Sequence, residues 1–320
     1  MENTIERAQD NQTELEAKAT SFNEQYDNPE TIDVAEGTLK IYRATPEIKK
    51  HSSPILLGHG YPASPTVMKE NLRELFEKGK DVIFPYTPRG IQMNPNIAES
   101  ELSSQGNLDD IELKKASAFL TVIKSKDLKN INGLGFSEGA LHIVAAALTE
   151  PERFKNLTLV NPAGVMGKTN FLTFLKGAVK HAQKETSKLE KAITTGKYLT
   201  GALDERVSPN AEAASGSASE RISAELKSLW AIPKADILDA LAVLEKRGIG
   251  IRIIHTEGDQ IYPLSKIKKM LEVKGLGHLL QVEKGSHTAF SANPKRFGKI
   301  IMEAFAGLDK QKNLPRHRVS

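Results

Sequence analysis

The sequence predicts an α/β protein: a mostly parallel central sheet flanked by helices, with one helical stretch inserted into it. Three observations carry that expectation. Short apolar runs of strand length alternate with runs of helical periodicity over residues 37–164 and again over 233–306. Several of the apolar runs end abruptly in loops rich in glycine and proline. Between about 165 and 232 the strand pattern disappears and only helical patterning remains. Strands that alternate with helices form a parallel sheet covered on both faces, because each crossover returns through a helix.

In chain order, residues 1–36 carry ten acids against two bases and read as an acidic arm, with a polar helix over 1–30 that offers few apolar positions for packing. Thr38 to Arg43 alternates apolar and polar, as a half-buried strand does. Ser53 to Leu57 is denser in apolar residues and delivers the tight loop Gly58-His59-Gly60-Tyr61-Pro62. Met68 to Lys78 has helical periodicity, with Leu72, Leu75 and Phe76 marking one face. Asp81 to Phe84 is the next strand, closed by Pro85-Tyr86-Thr87-Pro88-Arg89-Gly90, and a polar loop runs from there to Gln105. Asn107 is placed to cap a helix that reaches Ile123, with Asp109 and Asp110 in its first turn where the helix dipole favours acids.

Ile131 to Leu134 is a short buried strand, and Leu141 to Leu148 an Ala-rich helix. Leu157 to Val160 is another strand, ended by Asn161-Pro162-Ala163-Gly164. In the inserted stretch, Phe171, Leu172, Phe174, Leu175, Ala178 and Val179 share one helical face, with Lys176 and Lys180 off it. Further helical segments follow, broken by Gly196, Gly201 and the small-residue linker Ala213 to Ser219. After Pro233 come a helix over Ile237 to Leu244, a strand over Gly250 to His255, a helix over Ile267 to Leu271 and a strand over Leu279 to Val282. A last helix spans Pro294 to Phe305, and residues 307–320 form a basic tail.

Composition narrows the class of function. With 39% hydrophobic and 26% charged residues the chain is ordinary for a soluble globular protein, and a net charge of +4 is too small to argue for nucleic acid. The absence of cysteine excludes disulfides and thiolate metal sites. Met1 to Glu6 lacks a basic and an apolar region, so no secretory signal is expected. No apolar run approaches the roughly 18 residues of a membrane span. The expectation is a cytoplasmic protein with no stable membrane insertion.

The chemistry centres on Gly135-Phe136-Ser137-Glu138-Gly139, set between a strand and a helix. G-x-S-x-G in that context is the pattern of a nucleophile elbow, where a strained turn lifts the serine hydroxyl above the sheet edge. The pentapeptide arises by chance in roughly one chain in ten of this length, so its context must carry the reading. Serine is a poor nucleophile at neutral pH without an adjacent base. A histidine suits that role, and a carboxylate fixes its tautomer. Asp259 and His287 each follow a strand, in the order serine, acid, base.

This arrangement resembles an α/β-hydrolase fold serine hydrolase over most of residues 37–306. The resemblance implies Ser137 as nucleophile, Asp259 as acid and His287 as base, with Asp259 preferred over Glu257 because it lies past the strand end and in family register. His59-Gly60-Tyr61 resembles the oxyanion loop, which implies the backbone N–H groups of Tyr61 and Glu138 as its donors. Residues 165–232 sit where the family carries a helical cap, and the core is then 37–164 and 233–306. Two departures, Ala140 after the elbow and Tyr86 where relatives place an aspartate, leave these roles intact. An acyl transfer on these residues requires no cofactor.

The expected substrate is a small-molecule carboxylic ester, as for carboxylesterases or monoacylglycerol lipases. Thioesters, amides and carbon–carbon bonds are alternatives, as is a non-enzymatic ligand-binding protein on the same fold. Of the other histidines, His59 is expected to support the oxyanion loop, His142 to pack between helix and sheet, His255 to lie in the core and His278 to face solvent. Their spacing is not that of a metal site, so no metal is expected. Glu138's side chain is read as a pocket-rim or helix-terminal charge, Arg89 as a surface ion pair and Trp230 as filling the cap–core junction. The cap helix over 169–180 either roofs a pocket above Ser137 or offers a weak interfacial contact. Oligomeric state is not specified by the sequence.

Overall fold

The computed structural model describes residues 18–34, 37–47, 53–61, 64–86, 108–186, 227 and 229–313. Eight strands form one sheet in the order β1-β2-β4-β3-β5-β6-β7-β8. They are β1 (Glu30–Val34), β2 (Gly37–Ala44), β3 (Ile55–Gly58), β4 (Val82–Tyr86), β5 (Ile131–Phe136), β6 (Phe154–Val160), β7 (Gly250–Thr256) and β8 (Leu280–Glu283). Only β1–β2 and β2–β4 pair antiparallel; every pairing from β4 to β8 is parallel. The C-terminal ends of β3, β5, β6, β7 and β8 therefore lie along one edge, where an α/β sheet presents its functional groups.

Alternation along the strands divides the core in two. Leu56, Ile83, Ile131, Leu157 and Ile253 face one side and pack under α3 (Asp110–Ser125), α4 (Gly139–Thr149) and α6 (Leu238–Lys246). Ile55, Leu57, Val82, Phe84, Leu134, Phe136, Val160 and Ile254 face the other. There they meet α1 (residues 18–26), α2 (Pro65–Glu77) and α9 (Pro294–Asn313). Helix α5 (Phe171–Thr186) belongs to the inserted stretch, and α7 (Leu264–Val273) and α8 (Ala289–Ala292) complete the set.

The elements differ from the sequence expectation in four places. Strand β1 was not anticipated: its pattern is mostly polar, and it is ordered as an edge by its ladder to β2. The acidic arm is better anchored than its polarity suggests, because Phe22 and Tyr26 are fully buried, one helical turn apart. Their rings stack at 5.2 Å, Phe22 meets Phe76, and the Tyr26 hydroxyl donates to the Pro65 carbonyl at 2.8 Å. The cap of α3 is Asp109, whose carboxylate accepts from the Ile111 N–H; Asn107 lies outside the described residues. The last helix continues to Asn313, because Leu308 is buried and Asp309 is bound by Asn156 and Lys155 of β6.

The helical segments expected between Gly196 and Ser219, Arg89 and the polar loop to Gln105 lie outside the described residues. Among the described residues no helix is long and apolar enough to cross a membrane. The α1 anchor is testable. Phe22→Ala removes a fully buried ring, so urea unfolding should show a loss of about 3–5 kcal/mol.

Candidate active site

Strand β5 ends at Phe136 and the chain reverses at once into α4. Ser137 occupies that reversal with φ +52°, a left-handed conformation that an L-residue adopts only under constraint. The constraint is visible. The Ser137 N–H donates to the Val160 carbonyl at 3.0 Å, and its carbonyl accepts from the Ala163 N–H at 3.0 Å, so β6 and the loop after it hold the turn from both sides. The flanking glycines allow the helix to close over the sheet. A Cβ on Gly135 would lie 2.6 Å from the Ala140 Cα, and one on Gly139 would lie 2.1 Å from the Gly58 carbonyl carbon.

His287 follows β8 and Asp259 follows β7, as the sequence placed them. The His287 Nδ1–H donates to Asp259 Oδ2 at 2.7 Å, and the Ser137 hydroxyl donates to His287 Nε2 at 3.0 Å. All three side chains are buried. Burial alone would raise the Asp259 pKa, but His287, His255 and the Tyr262 N–H outweigh it and hold the carboxyl below its ordinary value. Glu257, the competing acid, is exposed, so only Asp259 meets His287. Gly60 brings the preceding loop against Ser137: a Cβ there would sit 2.8 Å from the Ser137 Cβ. His59 sits in that loop, with Nδ1 3.1 Å from the Gly60 carbonyl, and burial lowers its pKa to about 4.

Two groups of residues at the site were not legible in the sequence. Asn161, at the end of β6 with φ +43°, is a clamp across three loops. Its amide donates to the His287 carbonyl at 2.9 Å, and its oxygen accepts from the Thr256 N–H and hydroxyl at 2.8 and 3.1 Å. Tyr262, three residues beyond Asp259, is the second. Its ring is buried 5.3 Å from the His287 ring, and Phe136 and His181 approach the same imidazole at 5.6 and 5.9 Å.

Beneath the elbow lies a buried charge cluster. Of the two expectations for Glu138, the helix terminus holds and the pocket rim does not: it is the N-cap of α4, and its side chain is 3% exposed and ion-paired with Lys115 of α3, which also lies 3.7 Å from Glu112. Sequence could not show this, because Lys115 meets the elbow only through the packing of α3 on α4. His142 faces Glu112 at 2.7 Å, between two helices and not between helix and sheet. Glu112, Glu138 and His142 each place one ligand atom within 4.8 Å of the others, a convergence invisible to histidine spacing. The Lys115 ammonium already lies against both carboxylates and supplies the cluster's positive charge. Burial pushes the Glu112 carboxyl up and the His142 imidazole down to about 3.

The remaining expectations divide. His255 is fully buried, and its Nε2–H donates to the Tyr262 carbonyl at 2.8 Å. His278 faces solvent beside Glu245. Trp230 does not fill a junction: it is 49% exposed and stacks on Phe171 at 4.2 Å. Helix α5 is two-faced. Phe174 is buried, and Gly177 lies so close to residues 260–261 that a Cβ would come within 2.6 Å of the Gln260 carbonyl oxygen, whereas Leu172, Leu175 and Val179 are exposed.

No protein-family profile matches the chain, and no curated protein matches it in sequence. Solved structures match its backbone. The meta-cleavage product hydrolase of Pseudomonas fluorescens IP01 superposes with a TM-score of 0.59 at 16% identity, over 87% of this chain and 97% of its own. An esterase from Exiguobacterium antarcticum gives 0.55 at 16%, over 85% and 97%. MGS-MChE2, an alpha/beta hydrolase enzyme from a lagoon-sediment metagenome of Mar Chica, Morocco, gives 0.52 at 17%, over 88% and 99%. The chain has the α/β-hydrolase fold. Within that fold the Ser137 elbow, Asp259 and His287 stand just past the C-terminal ends of the parallel strands β5, β7 and β8.

Two measurements test these environments. Glycine carries no Cβ into the left-handed turn, so Ser137→Gly should be about 1 kcal/mol more stable than Ser137→Ala in urea unfolding. His142 is held neutral to about pH 3 in the folded state but protonates near 6.5 when unfolded. The unfolded chain thus binds more protons across that window, and stability falls as pH drops through it. Glu112, raised by burial, acts in the opposite sense and persists when His142 is removed. Between pH 6.5 and about 3, the unfolding midpoint of His142→Gln should therefore fall less steeply than that of the wild type.

Proposed function

We propose that this protein is a serine hydrolase that cleaves carboxylic esters through an acyl-enzyme on Ser137. The observation that carries the reading is the continuous chain Asp259–His287–Ser137, with one imidazole nitrogen 2.7 Å from the carboxylate and the other 3.0 Å from the hydroxyl, the spacing base catalysis needs. As Ser137 Oγ attacks the carbonyl carbon, its proton passes to His287 Nε2. The imidazolium so formed is stabilised by Asp259, whose carboxyl is held in its ionised form. Collapse of the tetrahedral intermediate breaks the bond to the alkoxy oxygen, which takes the proton from His287. Water, deprotonated by the same nitrogen, then attacks the acyl-enzyme and releases the carboxylic acid and Ser137.

The backbone N–H groups of Tyr61 and Glu138 are the donors proposed for the oxyanion. Glu138 is the N-cap of α4, where backbone N–H groups have no helical acceptor, and Gly60 carries the preceding loop against Ser137. Donors held in place by a packed loop and an ion-paired residue need not reorganise as charge develops. The insertion around α5 is proposed as a cap, with Phe174 packed at 6.3 Å from the ring of Tyr262. Solved structures of this fold bear names that include both an esterase and a meta-cleavage product hydrolase, so fold does not choose the bond. The ester reading rests on the triad and the small-molecule substrate on its burial.

Ser137→Ala should retain the wild-type fold and lose p-nitrophenyl acetate hydrolysis by about 10⁴-fold or more in kcat/KM. A fluorophosphonate probe should label the wild type at Ser137 and leave the variant unlabelled. Equal turnover by the two proteins would exclude the mechanism, and a wild type that binds esters without labelling or turnover would be a binding protein on this fold.

A further inference from the structure

The stretch that ends β6, Val160-Asn161-Pro162-Ala163, reaches the turns that carry Ser137, Asp259 and His287. Its backbone holds the first of them. The Val160 carbonyl accepts from the Ser137 N–H and the Ala163 N–H donates to the Ser137 carbonyl, both at 3.0 Å. The Asn161 side chain holds the other two. Its Nδ2–H donates to the His287 carbonyl at 2.9 Å, and the same nitrogen lies 3.5 Å from the Ser286 carbonyl. Its Oδ1 accepts from the Thr256 N–H at 2.8 Å, and the Thr256 carbonyl in turn accepts from the Asp259 N–H at 3.2 Å. Among the described residues, the hydrogen bonds that join the end of β6 to the loop carrying His287 all come from this one amide.

The amide has little freedom. Asn161 is fully buried, and its own N–H donates to the Ile254 carbonyl at 2.9 Å. Its φ of +43° is a conformation that asparagine tolerates better than most residues. Chemistry fixes which way the side chain faces, because a backbone N–H on one side demands the oxygen and a carbonyl on the other demands the nitrogen.

The distance at stake is that from His287 Nε2 to Ser137 Oγ, 3.0 Å. A base takes a proton efficiently within roughly 2.6–3.2 Å, so the gap stands toward the long end of that window and tolerates little lengthening. Asp259 holds the ring at Nδ1. A single contact is a pivot, and the tilt of the ring about it is set where His287 joins the backbone. Asn161 holds that backbone at the His287 carbonyl, from the same stretch that fixes Ser137.

We propose that Asn161 is a positioning residue that sets the reach of the His287 imidazole to Ser137. The proposal rests on the reading of Ser137 as nucleophile. Asn161 acts through His287 and takes no part in proton transfer. It ties base and nucleophile to one short stretch of chain, so the gap between them does not accumulate the play of separate loops.

Fluorophosphonate labelling of the wild type at Ser137 first establishes the nucleophile. Asn161→Gly and Asn161→Ala both remove the amide, but glycine accepts the left-handed φ and alanine is strained there. Asn161→Ala should therefore unfold at lower urea than Asn161→Gly. Both should nevertheless lose p-nitrophenyl acetate turnover by the same factor, on the order of a hundredfold in kcat, with KM within about threefold of the wild type. Phe22→Ala, destabilised far from the site, should keep the wild-type kcat, so that lost stability and lost turnover are told apart. A kcat in Asn161→Gly within about threefold of the wild type, or a loss that follows stability across the three variants, would overturn the role of Asn161 while leaving Ser137 as nucleophile. Failure of both Asn161 variants to fold would make the residue a determinant of the fold and would overturn the role as well. Absence of labelling in the wild type would overturn both readings.

Discussion

The structure depends on a backbone contact between two glycines. Gly58 ends β3 and Gly139 begins α4, and the two chains meet so closely that no side chain fits at either position. A Cβ on Gly58 would lie 2.4 Å from the Gly139 carbonyl oxygen, and that atom is backbone, which cannot swing aside. Because they touch there, the loop leaving β3 passes directly over the turn leaving β5. The approach of that loop follows from this contact: Gly60 lies directly against Ser137. The left-handed Ser137 is the strained product of the same closure, held because strands and helices on both sides leave it no alternative.

Polar groups set the rest of the geometry, and they are buried where an error would be costly. Asn161 ties β6, β7 and the histidine loop with one side chain, using both its donor and its acceptor. The Thr256 hydroxyl lies between Asn161 Oδ1 at 3.1 Å and the Ser286 carbonyl at 2.9 Å and shares its one proton between them, which reinforces the clamp. Asp259 divides its two oxygens between His287 and the N–H groups of its own turn, so the carboxylate is oriented before any substrate arrives. Below the elbow, Lys115 balances the charge of Glu138, a residue that would otherwise bury an unpaired carboxylate beside Ser137. Apart from Asp259's bonds within its own turn, each interaction joins elements distant in sequence, so the site is a property of the whole sheet edge.

Much of the architecture was legible in the chain. The parallel strands β3 to β7 read as short apolar runs because both faces are covered, and the elbow read as a motif because its glycines answer a steric demand. Strand β1 and the anchoring of helix α1 did not, since these come from a neighbouring ladder and from two aromatic residues in an acidic background. Trp230 and the outer face of α5 show the converse, apolar residues whose pattern promised burial and which remain exposed among the described residues.

By itself the sequence determined the α/β class, the strand ends that carry Ser137, Asp259 and His287, and their order, because local periodicity and turn chemistry are written in neighbouring residues. Only the tertiary structure decided that Asp259 and not Glu257 meets the histidine, that Asn161 clamps the loops, that Lys115 neutralises Glu138 and that Tyr262 packs edge-on to His287. Those four outcomes turn on which side chains converge across the sheet edge. Contacts between residues 23 to 126 positions apart are set by the register of parallel strands and the packing of helices on them, and no local pattern encodes that.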